Sequence, residues 1–313
     1  MKQEPFELAV AGTHRDAGLA LRGLRLTGGR QDGPRVLLTG ALHGDEVTAT
    51  GALWYLAERL RAEEDLDGTF TLLPCVNEPA VRASARLIPL EDSDLNRQFP
   101  GRADGSLAER IAATLTALLA EHDGLIDVHT AGWCDSFILL DPLPPGDLRD
   151  RTLRWAAASG FRLVGEMSGD RLQEQGLDRS WSGWASRVAG KPAFTLELPG
   201  FHKLEREAAL DAADRLLGCL KAFQGLADGS APPEPREARF EIYGNFGGLF
   251  EALVPPGKEL QAGEPVGRVR ALSDGSILET IAAPERGTLL AAQPISAVHP
   301  GSWLATVTVA LQG

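Results

Sequence analysis

From Val36 to about Gly225, short apolar runs alternate with longer stretches in which apolar residues recur every three to four positions. The first pattern suits buried strands and the second amphipathic helices. Their alternation predicts an α/β domain with a mainly parallel sheet. The strand candidates are Arg35–Thr39, Thr69–Pro74, Gly124–His129, Ser136–Leu140 and Ala193–Leu198. Thr48–Glu63 places Leu53, Leu56, Ala57 and Leu60 at helical spacing, and Ser106–His122 and Glu205–Leu226 read similarly. Ser106, with Glu109 three residues on, is a candidate N-cap for the second of these helices. Before Val36 the chain alternates loosely, as in Leu19-Ala20-Leu21-Arg22-Gly23-Leu24, and predicts an antiparallel pair at the sheet edge.

The pattern changes at Ala227-Asp228-Gly229-Ser230-Ala231-Pro232-Pro233-Glu234-Pro235, a polar connector rich in proline. Beyond it there is no helical period. Short runs are instead punctuated by Gly247-Gly248, Pro256-Gly257, Ala262-Gly263, Val266-Gly267, Ala283-Pro284 and Pro300-Gly301, which predicts a small all-β domain with tight turns. The division is therefore an α/β domain at 1–228, a linker at 229–237 and a C-terminal β domain at 238–313. The rhythm of that last segment resembles the barrel-sandwich fold of lipoyl and biotinyl modules. Its one lysine, Lys258, lies in Pro256-Gly257-Lys258-Glu259, and the hairpin position of a carrier lysine reads Glu285-Arg286-Gly287. A swinging-arm role is excluded on that ground.

Length and charge narrow the function. A chain of 313 residues is ample for a large core. Acidic side chains outnumber basic ones by 43 to 31, for a net charge of −12, which argues against a nucleic-acid partner or an anionic membrane surface. A small anionic substrate held by local arginines remains compatible with it. Met1-Lys2-Gln3-Glu4-Pro5 leads into no apolar segment of signal-peptide length, and no run approaches the roughly 20 apolar residues of a membrane span. Cys75, Cys134 and Cys219 form no paired spacing and read as the reduced thiols of a cytoplasmic protein.

The candidate chemistry begins at His43-Gly44-Asp45-Glu46, directly after the run that ends in Gly40. Imidazole nitrogen and carboxylate oxygen are ligands that Zn²⁺ accepts, and a catalytic zinc takes a third protein ligand and keeps one position open. His129 ends the run Leu125-Ile126-Asp127-Val128-His129 and is the best third ligand. Histidines at the carboxyl ends of two buried strands would share one rim of a parallel sheet, where open α/β proteins bind ligands. A lone His-x-x-Glu is common, so further residues must decide. Asp45 reads as a cap for the helix that follows.

Those residues follow in Asp92-Ser93-Asp94-Leu95-Asn96-Arg97-Gln98-Phe99-Pro100-Gly101. Asp-Leu-Asn-Arg-x-Phe-Pro-Gly, after His-x-x-Glu and before a strand-end histidine, resembles the zinc carboxypeptidase superfamily. More narrowly, it is similar to the succinylglutamate desuccinylase and aspartoacylase branch. Phe194-Thr195-Leu196-Glu197-Leu198 matches the strand that carries that branch's catalytic glutamate, and the small β domain matches its second domain. The resemblance implies a carboxypeptidase-like mixed sheet flanked by helices, with one Zn²⁺ per chain on His43, Glu46 and His129. A water would fill the fourth position, its pKa lowered towards about 7. Glu197 would be the general base, taking the water's proton and passing it to the leaving nitrogen.

By the same resemblance, Asp94 would receive the free N–H of His43. Arg97 is the expected clamp for a substrate carboxylate, assisted by Asn96, because guanidinium geometry suits two parallel hydrogen bonds. Arg86 would steady the oxyanion, with Arg82 close by as a solvated neighbour or a rival. Relatives add a tyrosine donor, for which Tyr243 is the candidate, with core packing as its alternative; Tyr55 reads as packing. Arg171, Arg179 and Arg187 are open matches for a specificity arginine. The reading is a cytoplasmic zinc amidohydrolase that removes an acyl group from an amino acid or similar small amine, with a small anionic N-acyl substrate. A zinc carboxypeptidase acting on short peptides and a non-catalytic zinc-binding homologue are the alternatives. A homo-oligomer is left open.

Overall fold

The computed structural model describes residues 1–10, 19–29, 33–89, 91–167, 169–225, 232–293 and 297–311. The predicted boundary at 228 and the first linker residues, 229–231, lie outside them, as does Leu226. The first half of the chain runs β1 (Lys2–Val10), β2 (Leu19–Thr27), β3 (Arg35–Gly40), α1 (Val47–Ala62), β4 (Thr69–Cys75), α2 (Glu78–Ala83), α3 (Leu107–Ala120) and β5 (Gly124–Thr130). It continues through β6 (Trp133–Cys134), β7 (Phe137–Leu140), α4 (Asp147–Ala157), β8 (Arg162–Gly165), α5 (Asp170–Glu174), α6 (Trp181–Arg187), β9 (Ala193–Leu198) and α7 (Arg206–Ala222). The predicted strands and helices are all present, with ends moved by a residue or a few. Ser106 and Glu109 form the capping box that opens α3.

The central order is β1-β2-β4-β3-β5-β9-β7-β8. β4, β3, β5 and β9 are mutually parallel neighbours, and β7 joins β9 antiparallel while pairing parallel with β8. β1 and β2 are the antiparallel edge pair. Strands buried on both faces read as continuous apolar runs. Leu38, Ile126 and Phe194 face the core shared with α1 and α7, while Leu37, Leu125 and Ala193 face the one shared with α3 and α6. Because β3, β5 and β9 run the same way, their carboxyl ends open on one rim.

The C-terminal segment contains β10 (Glu237–Tyr243), β11 (Gly248–Ala252), β12 (Glu259–Leu260), β13 (Pro265–Arg270), β14 (Ile277–Ala282), β15 (Gly287–Ala292), β16 (Ala297–Val298) and β17 (Trp303–Ala310). β14-β13-β11-β16 form a separate 4-stranded sheet. It packs on β10, β12, β15 and β17 through Phe250, Leu260, Val269, Ile281, Leu289 and Leu304, a sandwich core of its own. β10 also bridges to β8 at Ala238 and Gly165, so the central sheet runs on into this segment. That junction brings β10 to the rim. No helix among the described residues is long and apolar enough to cross a membrane.

Candidate active site

The loop after β3 is tightly held. Ala41 sits in the left-handed region at φ 51°, a conformation that costs a residue with a Cβ and marks local strain. Gly44 passes so close to α2 that a Cβ there would lie 2.0 Å from the Ala80 carbonyl carbon. Buried Asn77, the N-cap of α2, accepts from the Ala80 N–H and donates Nδ2 to the Leu42 carbonyl at 2.8 Å. These contacts fix where His43 emerges. The N-cap position of α1 falls on Glu46 and makes no side-chain capping bond, while Asp45 Oδ1 is buried without a partner. The expectation that Asp45 caps α1 is therefore wrong: the chain enters the helix one residue later.

His43, Glu46 and His129 are buried together, with ligand atoms all within 4.8 Å of one another. His43 Nδ1 lies 2.6 Å from Glu46 Oε1 and His129 Nδ1 2.8 Å from Glu46 Oε2. Each imidazole turns its other nitrogen to an outer carboxylate. His43 Nε2 is 3.1 Å from Asp94 Oδ1, and His129 Nε2 is 2.7 Å from Asp127 Oδ2. With a metal ion on the inner nitrogens, each Nε2 would carry the proton for its outer carboxylate and each Nδ1 lone pair would point inward. Two inward imidazole lone pairs and a carboxylate form a donor set that fits Zn²⁺.

The outer carboxylates are themselves anchored. Asp127 Oδ1 accepts from Thr39 Oγ1 at 2.8 Å, and Thr39 in turn accepts from the Trp181 indole at 3.2 Å. Asp94 Oδ1 also takes the Asn96 N–H at 2.8 Å. Burial opposes the Asp94 charge, but His43, Arg86 and Arg97 outweigh it and hold its carboxyl well below the usual range. Asp127 was not singled out from the sequence. Its signal was a carboxylate two residues before His129 in an otherwise apolar run, on the same face of the strand.

Glu197 stands beside this cluster because it is the register partner of His129 across β5 and β9. Its Oε2 is buried without a hydrogen bond. Burial, reinforced by Glu46, raises its carboxyl to about 7. Arg86 spans the rim, with Nη1 3.4 Å from Glu46 Oε1 and Nη2 3.4 Å from Asp94 Oδ2. Arg82 instead pairs with Glu78 on the surface. Arg97 gives Nε to the Gln175 carbonyl at 2.6 Å and Nη1 to the Asn96 carbonyl at 3.0 Å, which leaves Nη2 for the cavity. Asn96 accepts from the Trp181 N–H through Oδ1, so its amide nitrogen is the end left free.

His43, Glu46, Arg86, Asp94, Asn96, Arg97, His129, Glu197 and Tyr243 line one cavity of about 490 Å³. Tyr243 donates to Gln175 Oε1 at 3.0 Å and contacts Glu241; it stands on the cavity wall, outside the β-domain core, and Tyr55 packs on the central core. None of Arg171, Arg179 and Arg187 lines this cavity. Arg171 lies over the Phe240 ring, and Arg179 and Arg187 bond to backbone carbonyls. The arginine that does line it, besides Arg86 and Arg97, is Arg239 on β10. Cys134 is buried on β6 and stays out of the lining.

Residues 32–223 match the succinylglutamate desuccinylase/aspartoacylase catalytic domain. The chain belongs to this family. It is 30% identical over 294 residues to the N-alpha-acetyl-L-2,4-diaminobutyric acid deacetylase of Halomonas elongata, an alignment covering 89% of this chain and 83% of the relative. A succinylglutamate desuccinylase structure from a Silicibacter species superposes with a TM-score of 0.79 at 25% identity, covering 99% of this chain and 95% of the other. A metallo-carboxypeptidase from Burkholderia cenocepacia superposes with a TM-score of 0.56 at 14% identity, over 72% of this chain and 65% of its own. The fold is thus carboxypeptidase-like, as the sequence motifs imply.

Within this family member, β10 supplies cavity residues that the motifs did not announce. Arg239, Glu241 and Tyr243 alternate along one strand, so all three face the cavity. Arg239 bonds Glu166 through Nε and Glu241 through Nη1, the latter at 2.7 Å. The only sequence cue was a period-2 run of charged and aromatic residues just past the linker.

Proposed function

We propose that this chain is a zinc-dependent amidohydrolase that cleaves the amide bond of an N-acyl amino acid. The observation that carries the reading is the unpartnered Glu197 carboxylate, set in register with His129 beside a buried His-Glu-His donor set. The names of the relatives, a deacetylase and a desuccinylase, support the same bond type. His43, Glu46 and His129 would hold the Zn²⁺, which when bound acidifies a water and polarises a carbonyl.

The chain's own side chains do the rest. Arg97 Nη2 and the Asn96 amide take the substrate carboxylate and fix the position of the scissile bond. Glu197 accepts a proton from the attacking water, and a carboxyl with a pKa near 7 can return that proton to the leaving nitrogen. Arg86 stands where a guanidinium can stabilise the oxygen that gains charge as the carbonyl becomes tetrahedral. Asp94 and Asp127 hold the imidazole tautomers throughout.

The enclosure favours a small substrate over a peptide. Arg239, Glu241 and Tyr243 of β10 close one side of a cavity of about 490 Å³, which suits a molecule of amino-acid size. The test combines metal analysis with a panel of N-acetyl, N-succinyl and N-formyl amino acids and short peptides, with free amine as readout. About one bound zinc per chain and turnover confined to the acyl amino acids is the expected result. Turnover without metal, or on peptides alone, would overturn it.

A further inference from the structure

Trp181 opens α6 between Ser180 and Ser182, which both line the cavity, yet its own ring is fully buried outside that lining. A buried indole brings a large apolar area and one N–H that needs a partner. The ring stacks on Phe99, with centroids 4.3 Å apart and planes at 19°, and on Trp184 at 6.2 Å and 12°. Phe99 belongs to the run Asn96-Arg97-Gln98-Phe99-Pro100-Gly101, and this stack is what its ring does there. The Phe99 N–H also donates to the Arg179 carbonyl at 3.3 Å, so the motif loop and the approach to α6 are joined through the main chain as well.

Both N–H groups of Trp181 then reach toward the cavity residues, in different directions. The indole donates to Thr39 Oγ1 at 3.2 Å, and Thr39 gives its own proton to Asp127 Oδ1 at 2.8 Å. Asp127 Oδ2 lies 2.7 Å from His129 Nε2. Thr39, Asp127 and His129 are all buried, and Thr39 and Asp127 are register partners across β3 and β5. A hydroxyl has one proton and turns to suit its partners. With a donor on its lone pair, the Thr39 proton is directed at Asp127. The main-chain N–H of Trp181 is free for other use because the first turn of a helix has no intrahelical acceptor. It donates to Asn96 Oδ1 at 2.7 Å.

We propose that Trp181 is a positioning residue that ties the metal site to the substrate clamp: its indole N–H sets the His129 imidazole through Thr39 and Asp127, and its main-chain N–H turns the Asn96 amide nitrogen to the cavity. The assignment rests on the zinc amidohydrolase reading and adds to it a residue that touches neither metal nor substrate. One stacked ring fixes the start of α6, and two groups on different elements take their orientation from it.

The test measures zinc affinity of the full chain by competition with a chelator, and KM for N-acetyl amino acids and for their amides. Trp181→Phe keeps a stacked ring and loses only the indole N–H. Its zinc dissociation constant should rise by about three- to tenfold, less than the loss of a direct partner of the imidazole would cause. KM for the carboxylate substrates should hold. Thr39→Val should weaken zinc as well, and adding Trp181→Phe to it should change nothing further, because the indole acts through that hydroxyl. Trp181→Ala and Trp181→Pro both lack the indole, but only the proline lacks the main-chain donor. Proline suits the first position of a helix, and Ser180 before it is already extended at φ −70° and ψ 157°. The proline variant should exceed the alanine variant in KM by about fivefold for carboxylate substrates and match it for the amides. If neither small variant folds, the phenylalanine cycle decides. Zinc affinity unmoved in Trp181→Phe, or effects that multiply in the double variant, would overturn the assignment while the zinc reading stands. A wild-type chain that binds no zinc would overturn both.

Discussion

The rim and the deep wall of one cavity are built in opposite ways. On the rim, His43 and Glu46 lie three residues apart, Asp127 and His129 two apart, and Asp94, Asn96 and Arg97 within one short loop. In the deep wall, Glu166, Ser182, Thr195 and Arg239 come singly from four different places in the chain, with Asp141 behind Ser182. The rim must fix angles between donor atoms, and short spacings on one strand end or one loop do that with little freedom. The wall is held by its own contacts, Arg239 on Glu166 and Ser182 beside Thr195. Rim and wall are thus separable in the chain. β9 joins them, since Thr195 and Glu197 lie two residues apart on the same face.

That separation predicts where damage should fall. The largest effect is expected at the junction, from Glu197→Gln. The amide keeps the volume and removes the base, so zinc content should hold while kcat falls by roughly 10²–10⁴-fold for every substrate alike. Metal analysis and kinetics across several N-acyl amino acids check both halves. A near-normal rate would move the base elsewhere, and a loss confined to one substrate class would merge rim and wall. Next comes Asp127→Asn. The amide can donate to His129 Nε2, which invites the tautomer with its proton on Nδ1 and spoils the inward lone pair. Zinc affinity should fall by about 10–100-fold, measured by competition with a chelator. Unchanged affinity would leave Asp127 a packing residue.

The same contrast governs what could be read from the chain alone. His43, Glu46, Asp94, Asn96, Arg97, His129 and Glu197 stand in motifs or at the ends of apolar runs, and the structure brings them to one cavity. Strand and helix periods located β3, α1, β4, α3, β5, β7, β9 and α7, because each buries a continuous stripe. α4 was not located: Leu153, Trp155 and Ala156 are its buried face, set among Arg149, Arg151 and Arg154. β8 is short and half exposed. Glu166 and Ser182 carry no local signal and Arg239 only the period-2 run of its strand, since each acquires meaning from partners distant in the chain, such as Arg239 for Glu166 and Asp141 for Ser182, or from the one-residue bridge of β10 to β8.

Arg97→Ala tests the rim's own substrate contact. Losing a carboxylate clamp should raise KM about tenfold or more for substrates with a free α-carboxylate and have little effect on their amides. Because the clamp is on the rim, the ratio of kcat/KM between substrates that differ only in side chain should stay put. If that ratio collapsed instead, Arg97 would belong to the wall.

The last effect is on stability, and it separates the two regions by pH. The Asp141 carboxyl stands at about 6 against an ordinary value of 3.8. Between those values the folded protein keeps a proton that the unfolded chain has released. Stability is therefore full below about pH 4 and declines as the pH rises through 6, by on the order of 3 kcal/mol. Asp141→Asn cannot ionise and should lose that slope. The variant should melt no higher than the wild type near pH 4 and higher than it near pH 7. Thermal melts of both proteins, taken without substrate, measure the difference. A gap that stays flat across this range would mean that Asp141 ionises normally.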